Sequence, residues 1–176
     1  MVSPDGKYTT FTANRNGKYQ IHRVDSHSQE ITNISDSEFE ASDAKWSANS
    51  QEIVYLHYSG DDVPQIYSMK LDGSDKRPLV VNEYTKAEPA WSVDGKLITY
   101  TQKSQDDNQL WLFDLASGKK SLVASKVDPY TTVTWSPDSD RLVMIAADGY
   151  LSVINLDGSN QKRISQHKGF YEPFWY

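Results

Sequence analysis

Carboxylates that recur at a nearly constant interval are the side chains best placed to do chemistry in this chain. Asp43, Glu88 and Glu172 each lie three residues before a tryptophan, and Thr132 holds the same place before a fourth. If the repeated segments surround an axis, these positions converge on a ring, where like charges raise one another's pKa and attract cations. The spacing predicts an acidic rim at one mouth of a central channel, suited to a cation or the basic end of a peptide.

Aromatic residues beside this predicted rim extend the candidate site. Tyr130 lies two residues before Thr132, and Tyr171 directly precedes Glu172. Tyrosine supplies rigid contact area in many binding sites. The acidic positions are also compatible with a solvated funnel that only keeps the channel hydrated, so both interpretations stay open.

The residue patterns that catalytic and metal sites use do not occur in this sequence. The chain has no cysteine and no Gly-x-Ser-x-Gly nucleophile motif. Its four histidines, His22, His27, His57 and His167, lack the spacing of metal ligands. We therefore expect no enzyme activity, no metal and no cofactor.

Two acidic loops occupy equivalent positions in successive repeats, one with Asp61 and Asp62, the other with Asp106 and Asp107. Calcium prefers carboxylate oxygens, so these loops could together gather a hard cation. No Asp-x-Asp-x-Asp-Gly pattern is present, and solvated loop acids are the interpretation that the sequence favours.

One short sequence motif recurs along the chain, and its spacing predicts how the chain is divided into repeats. It begins at Trp46-Ser47, Trp91-Ser92 and Trp135-Ser136, and Val2-Ser3 opens its first copy. Spacings of about 44 residues lie in the range of propeller blades. We expect a single domain over residues 1–176, with repeats at approximately 2–45, 46–90, 91–134 and 135–174.

The order of predicted strands is the same in each repeat. In the first repeat an alternating strand, Tyr8–Thr12, is followed by a second at Gln20–Val24. A short polar strand, such as Lys76–Val80, ends the second repeat. No long segment has the 3.6-residue period of an amphipathic helix. The sequence predicts an all-β fold, a β-propeller made of four four-stranded antiparallel blades.

The recurring motif predicts a tight turn that is preceded by a large aromatic side chain. Ser and Asp side chains can bond the turn backbone, and Gly takes its left-handed position. Ser50 and Ser139 replace that Gly in two copies, so those turns are expected to be strained or differently shaped. The tryptophans are expected to wedge between neighbouring blades: Trp46, Trp91, Trp135 and Trp175.

Composition and charge limit the classes of molecule that this chain is expected to bind. A net charge of −6 and a pI near 5.1, without a basic stripe, argue against nucleic-acid binding. No run of 18 apolar residues is present, so we expect no membrane insertion by this domain.

Several sequence segments resemble the WD40-like PD40 repeat of TolB-like β-propellers. They are Val2 to Lys7, Trp91 to Ile98 and Trp135 to Asp138 for the first half of the repeat, and Gln65 to Ser74 and Val153 to Ser159 for the second half. The resemblance covers essentially the whole chain and implies the propeller fold.

The resemblance also implies a function class. It points to a non-enzymatic propeller that binds a protein or small-molecule ligand, located in the bacterial periplasm. Such a propeller would be TolB-like or the sensor domain of a membrane-anchored transcriptional regulator. The alternative is an accessory propeller of a prolyl-oligopeptidase-type serine peptidase whose catalytic domain lies outside this chain.

The number of blades in the native ring stays open. The four repeats are either part of a longer ring or a small ring closed by residues 170–175, which would supply the inner strand that the first repeat lacks. A monomer and a homodimer are both compatible with these alternatives.

Overall fold

The computed structural model describes residues 1–60, 63–128 and 131–168, and these residues form strands and turns without helix. The predicted all-β fold of antiparallel blades is confirmed. Apolar β-forming residues explain the strands. In β5, for example, the consecutive residues Ile53 to Leu56 are all buried, so side chains on both faces of the strand are covered.

The strands form four antiparallel sheets, each made from consecutive segments. The first sheet contains β1 (Tyr8–Arg15), β2 (Lys18–Asp25) and β3 (Ile31–Asn33), and an isolated bridge joins Val2 to Thr9 beside β1. The second contains β4 (Glu40–Trp46), β5 (Glu52–Tyr58), β6 (Pro64–Lys70) and β7 (Arg77–Val80).

The third sheet contains β8 (Lys86–Trp91), β9 (Leu97–Lys103), β10 (Asn108–Asp114) and β11 (Lys120–Ser125). The fourth contains β12 (Thr134–Trp135), β13 (Arg141–Ile145), β14 (Leu151–Asn155) and β15 (Lys162–Arg163). In each of these sheets the neighbours follow chain order, as in a propeller blade. We therefore refer to the four sheets as blades one to four.

The blades fall into two compact units. Blades one and two make up the first unit, Met1–Thr85, and blades three and four make up the second, Lys86–Tyr176. No described segment is a helix long and apolar enough to span a bilayer. The predicted single domain with four repeats stays a prediction.

An apolar core fills the space between the two blades of each unit. In the first unit Trp46 and Ile53 of blade two pack with Ile21 and Ile34 of blade one. In the second unit the core is drawn from blades three and four in the same way: Leu110, Val123, Ala124, Val127, Val133, Trp135, Leu142, Met144 and Ile154. Such burial is the main stabilising term of the fold.

The recurring serine organises every turn that follows an inner segment. Ser92 Oγ donates to Asp94 Oδ1 at 2.7 Å and accepts the backbone N–H of Leu97 at 2.9 Å. Ser3, Ser47 and Ser136 make the equivalent pair of bonds. The bond from the serine hydroxyl is the first cause that lowers the pKa of Asp94.

The two turns with serine in place of glycine have the same shape as the others. Ser50 and Ser139 have φ of 59° and 60°, and Gly6 and Gly95 both have φ of 72°. A side chain in this left-handed region costs about 1–2 kcal/mol, so the expected strain is present without a change of turn type.

Candidate functional site

The inner strand of blade two carries a bulge at Asp43. Strand β4 pairs with β5 through Ser42 and Leu56, and the register resumes at Lys45 and Val54. Asp43 lies inside this irregularity with φ of 53°. Asp tolerates the left-handed region better than most residues, and the bulge turns its side chain out of the ladder pattern.

Blade three has an equivalent bulge at Glu88. Strand β8 pairs with β9 at Ala87 and again at Ala90, and Glu88 has φ of 50°. Glutamate has no special tolerance for this region, so the conformation costs about 1–2 kcal/mol. Strain of this kind persists where the surroundings or the function require it.

A lysine accompanies the carboxylate in the bulge of blade two. Lys45 Nζ lies 2.8 Å from Asp43 Oδ1, and the two side chains are 27% and 25% exposed. The half-buried pair offers both a donor and an acceptor to a ligand. The sequence prediction of an acidic group at this position missed the cation, because the bulge brings residues 43 and 45 together.

A second lysine is buried in the inner strand of blade three. Lys86 is 1% exposed and lies opposite Gln102 in the ladder. A charge this deeply buried requires compensating polar contacts. The equivalent residue of blade two is Ala41, also buried. The repeat pattern gives no indication that a lysine is buried at this position.

Thr132 is half-buried next to the start of β12. Its neighbour Thr131 is fully buried, and Thr131 Oγ1 accepts the N–H of Ile145 at 2.9 Å. Tyr130, Tyr171 and Glu172 lie outside the described residues. The predicted rim is thus represented by Asp43 in the first unit and by Glu88 and Thr132 in the second, and their convergence stays a prediction.

Two of the tryptophans before the turns, Trp46 and Trp135, belong to the apolar core of their own unit. Trp46 is 6% exposed, stacks on Tyr8 of blade one with ring centroids 6.3 Å apart, and donates to the Met1 carbonyl at 3.3 Å. Trp135 is equally buried, and its Nε1 has no partner among the described residues. Trp91 is half-buried, and Trp175 lies outside the described residues.

Metal binding finds no support in the described part of the chain. No group of three or more His, Asp or Glu side chains there could hold an ion. Asp106 is exposed and Asp107 half-buried, and Asp61 and Asp62 lie outside the described residues.

A cavity of about 360 Å³ lies at the turn end of blade two, away from the bulge. Its acidic groups have partners within the blade, and the acidic residues of the bulges have partners too. Glu52 lies 3.4 Å from Arg77 Nη2, and Asp72 Oδ1 accepts two bonds from Ser74. The inner-strand bulges, which hold strained carboxylates, are the stronger candidate site.

Comparison with known proteins gives consistent results for the repeat. The TolB beta propeller domain family, PD40, matches residues 64–176. The Tol-Pal system protein TolB from Marinomonas sp. (strain MWYL1) is 30% identical over 94 residues, covering 52% of this chain and 22% of that protein. The chain therefore spans only about a fifth of the length of that relative.

Two solved structures show the same fold. TolB from Acinetobacter baumannii superposes with a TM-score of 0.77 at 23% identity, over 89% of this chain and 40% of its own. A putative TolB from Agrobacterium tumefaciens superposes with a TM-score of 0.72 at 20% identity, over 92% and 62%.

Proposed function

Because the chain belongs to the TolB β-propeller family, we propose that it is a non-enzymatic propeller that binds another protein or a small ligand through its inner-strand bulges. The observation that carries the proposal is the left-handed conformation of Glu88, held in a β-bulge in the middle of an inner strand. Bulges of this kind re-aim a side chain and are common next to binding sites.

The chemistry of the bulges favours a ligand with a cationic group. Glu88 supplies a carboxylate in the second unit, whereas Asp43 in the first unit is paired with Lys45, so the preference for a cation rests on Glu88. A partly buried carboxylate attracts an ammonium or guanidinium group more strongly than an exposed one, because the local dielectric is lower. A basic segment of a partner protein has both the charge and the hydrogen-bond donors that these groups require.

We further propose a periplasmic location and two parent architectures. The relative from Marinomonas is named as a Tol-Pal system protein, which supports a periplasmic TolB-like protein with a protein partner. The sensor half of a membrane-anchored transcriptional regulator is the other architecture. The full-length gene decides between them: a signal peptide upstream supports the first, and a winged helix with one apolar 20-residue segment supports the second.

Peptide titration tests the binding chemistry. Two labelled peptides of equal length, one lysine-rich and one glutamate-rich, are titrated with the full chain and followed by fluorescence anisotropy. We expect the lysine-rich peptide to bind, with an affinity that falls as salt rises. Glu88→Gln should weaken it about tenfold, which corresponds to about 1.4 kcal/mol.

Glu52→Gln is the matched control, because it is an equally conservative substitution of a carboxylate at the turn end of blade two, away from the bulges. It should leave the affinity unchanged. Equal binding of both peptides, or equal effects of the two substitutions, would show that the bulge carboxylate does not form the binding site. Titration with a purified partner protein of the Tol-Pal system tests the protein-partner part of the proposal.

A further inference from the structure

Glycine and serine alternate at the left-handed position of the four recurring turns. Gly6 and Gly95 hold it in blades one and three, and Ser50 and Ser139 hold it in blades two and four. The members of each pair are 89 residues apart, about twice the blade spacing. Serine is strained at this φ, so its use in alternate blades requires a physical reason.

The serine hydroxyls join neighbouring blades. The backbone N–H of Asp5 donates to Ser50 Oγ at 3.1 Å, and the N–H of Asp94 donates to Ser139 Oγ at 3.2 Å. Glycine has no side chain that could accept this bond. At the two serines, the hydrogen bond offsets part of the strain of the left-handed backbone. In each unit, the turn of the first blade is thus held by the serine of the second.

Strand residues alternate with the same period. Thr10 and Thr99 are almost fully buried in blades one and three, and each donates its hydroxyl to a backbone carbonyl of the inner segment, at 3.3 and 3.4 Å. Val54 and Val143 occupy the same position in blades two and four. A valine cannot form this bond, so the two kinds of blade hold their inner segments differently.

The outer turns also differ between the two kinds of blade. A Cβ at Gly158 would lie 2.5 Å from the carbonyl oxygen of Val123 in the preceding blade, and Gly73 approaches the carbonyl oxygen of Ile34 as closely. A Cβ at Gly118, in the outer turn of blade three, would have no atom of the described residues within 4 Å. Glycine in an Asp-Gly-Ser turn is therefore a contact residue in blades two and four.

The apolar cores repeat with the same 89-residue period. Trp46 and Ile53 of the first unit correspond to Trp135 and Leu142 of the second. Three more pairs of core residues are also 89 positions apart: Ile21 and Leu110, Ile34 and Val123, Tyr55 and Met144. The two units therefore build their cores from corresponding residues.

We propose that this propeller is assembled from a two-blade unit used twice, in which two blade types recognise one another. The first type presents a Ser-x-Asp-Gly-Lys turn whose Asp N–H is the donor. The second type presents the acceptor serine and the close-packed Asp-Gly-Ser turn. The partner that fits the turn of a first-type blade is a second-type blade, and the hydroxyl at position 50 or 139 determines this pairing.

Amide hydrogen exchange of the full chain, followed by NMR, tests the recognition contact. Ser50→Ala should accelerate exchange of the Asp5 amide about tenfold or more, because its acceptor is lost, and should leave the Asp94 amide unchanged. Ser139→Ala should do the reverse. Ser50→Gly removes the same hydroxyl without strain and keeps the test valid if the alanine variant does not fold. No change at Asp5 in either variant, or equal changes at Asp5 and Asp94, overturns the proposal.

The two-blade unit has a second readout in the same experiment. At low denaturant, amides of β1–β7 and of β8–β15 should exchange as two cooperative groups, and Ser50→Gly should alter only the first group. Exchange in four groups, one for each blade, or in a single global group overturns the two-blade unit. Neither result depends on ligand binding at the bulges, so the proposed function is tested separately.

Discussion

Replacing Gly158 by alanine tests the close approach between blades three and four. Gly158 has φ of +80°, and a Cβ there would lie 2.5 Å from the backbone carbonyl oxygen of Val123. The left-handed backbone costs an alanine about 1–2 kcal/mol. The overlap with backbone atoms cannot be relieved by a rotamer change, and overpacking of this kind costs a further 1–3 kcal/mol or so. We expect Gly158→Ala to lower the free energy of unfolding by about 2–5 kcal/mol.

Gly118→Ala separates the two contributions, because Gly118 has φ of +68° and the added Cβ would have no atom within 4 Å in the part of the chain that the structure describes. This control should lose only the backbone term, about 1–2 kcal/mol. Urea denaturation followed by circular dichroism measures both variants, and an unchanged m-value shows that the difference is one of stability. Equal losses in the two variants would refute the close inter-blade contact at Gly158.

Three further predictions concern the core and the titrating groups. Trp46→Ala should lower the free energy of unfolding by about 3–5 kcal/mol in urea denaturation, because Trp46 is 6% exposed in the core of the first unit; a loss below about 1 kcal/mol would contradict this role. Ser92→Ala should raise the lowered pKa of Asp94 toward its usual value in an NMR titration, since the Ser92 hydroxyl is the first cause of the shift. Burial lowers the pKa of His57 from its ordinary value of 6.5, so stability should fall as pH drops below that value, and His57→Phe should reduce this dependence in denaturation at pH 7 and pH 5.

The turns and most strands were predictable because their determinants are local. The serine and aspartate of the recurring motif accept hydrogen bonds from backbone N–H groups within five residues, as Ser92 and Asp94 do. The predicted strand Tyr8–Thr12 extends to Arg15 in the structure, because pairing with β2 continues through polar residues up to the hairpin. Apolar alternation marks the buried part of a strand and underestimates its hydrogen-bonded length.

The geometry of the candidate site could be predicted from the sequence only in part. Asp43 and Glu88 were predicted as equivalent positions from spacing alone, but their bulges depend on the register with β5 and β9. The Asp43–Lys45 pair and the burial of Lys86 follow from those bulges and from packing. Local patterns do not encode either property, since both depend on which strand lies alongside.

The alternation of Gly6 and Gly95 with Ser50 and Ser139 is present in the sequence. Only the structure shows its reason, which is the acceptor role of the serine hydroxyls toward the preceding blade. Serine at a turn position that favours glycine is thus explained by its contact with a residue distant in the sequence.

Peptide binding by Glu88→Gly is the measurement that tests most directly whether the inner-strand bulge forms the binding site. Glycine adopts the φ of 50° found at residue 88 without strain, so the bulge backbone is kept while the carboxylate is removed. We predict that the variant loses binding of the lysine-rich peptide. Lys126→Gly, at φ of 56°, is the same kind of substitution outside the bulges and should keep binding. Binding of the lysine-rich peptide by Glu88→Gly with the affinity of the wild type would contradict the account.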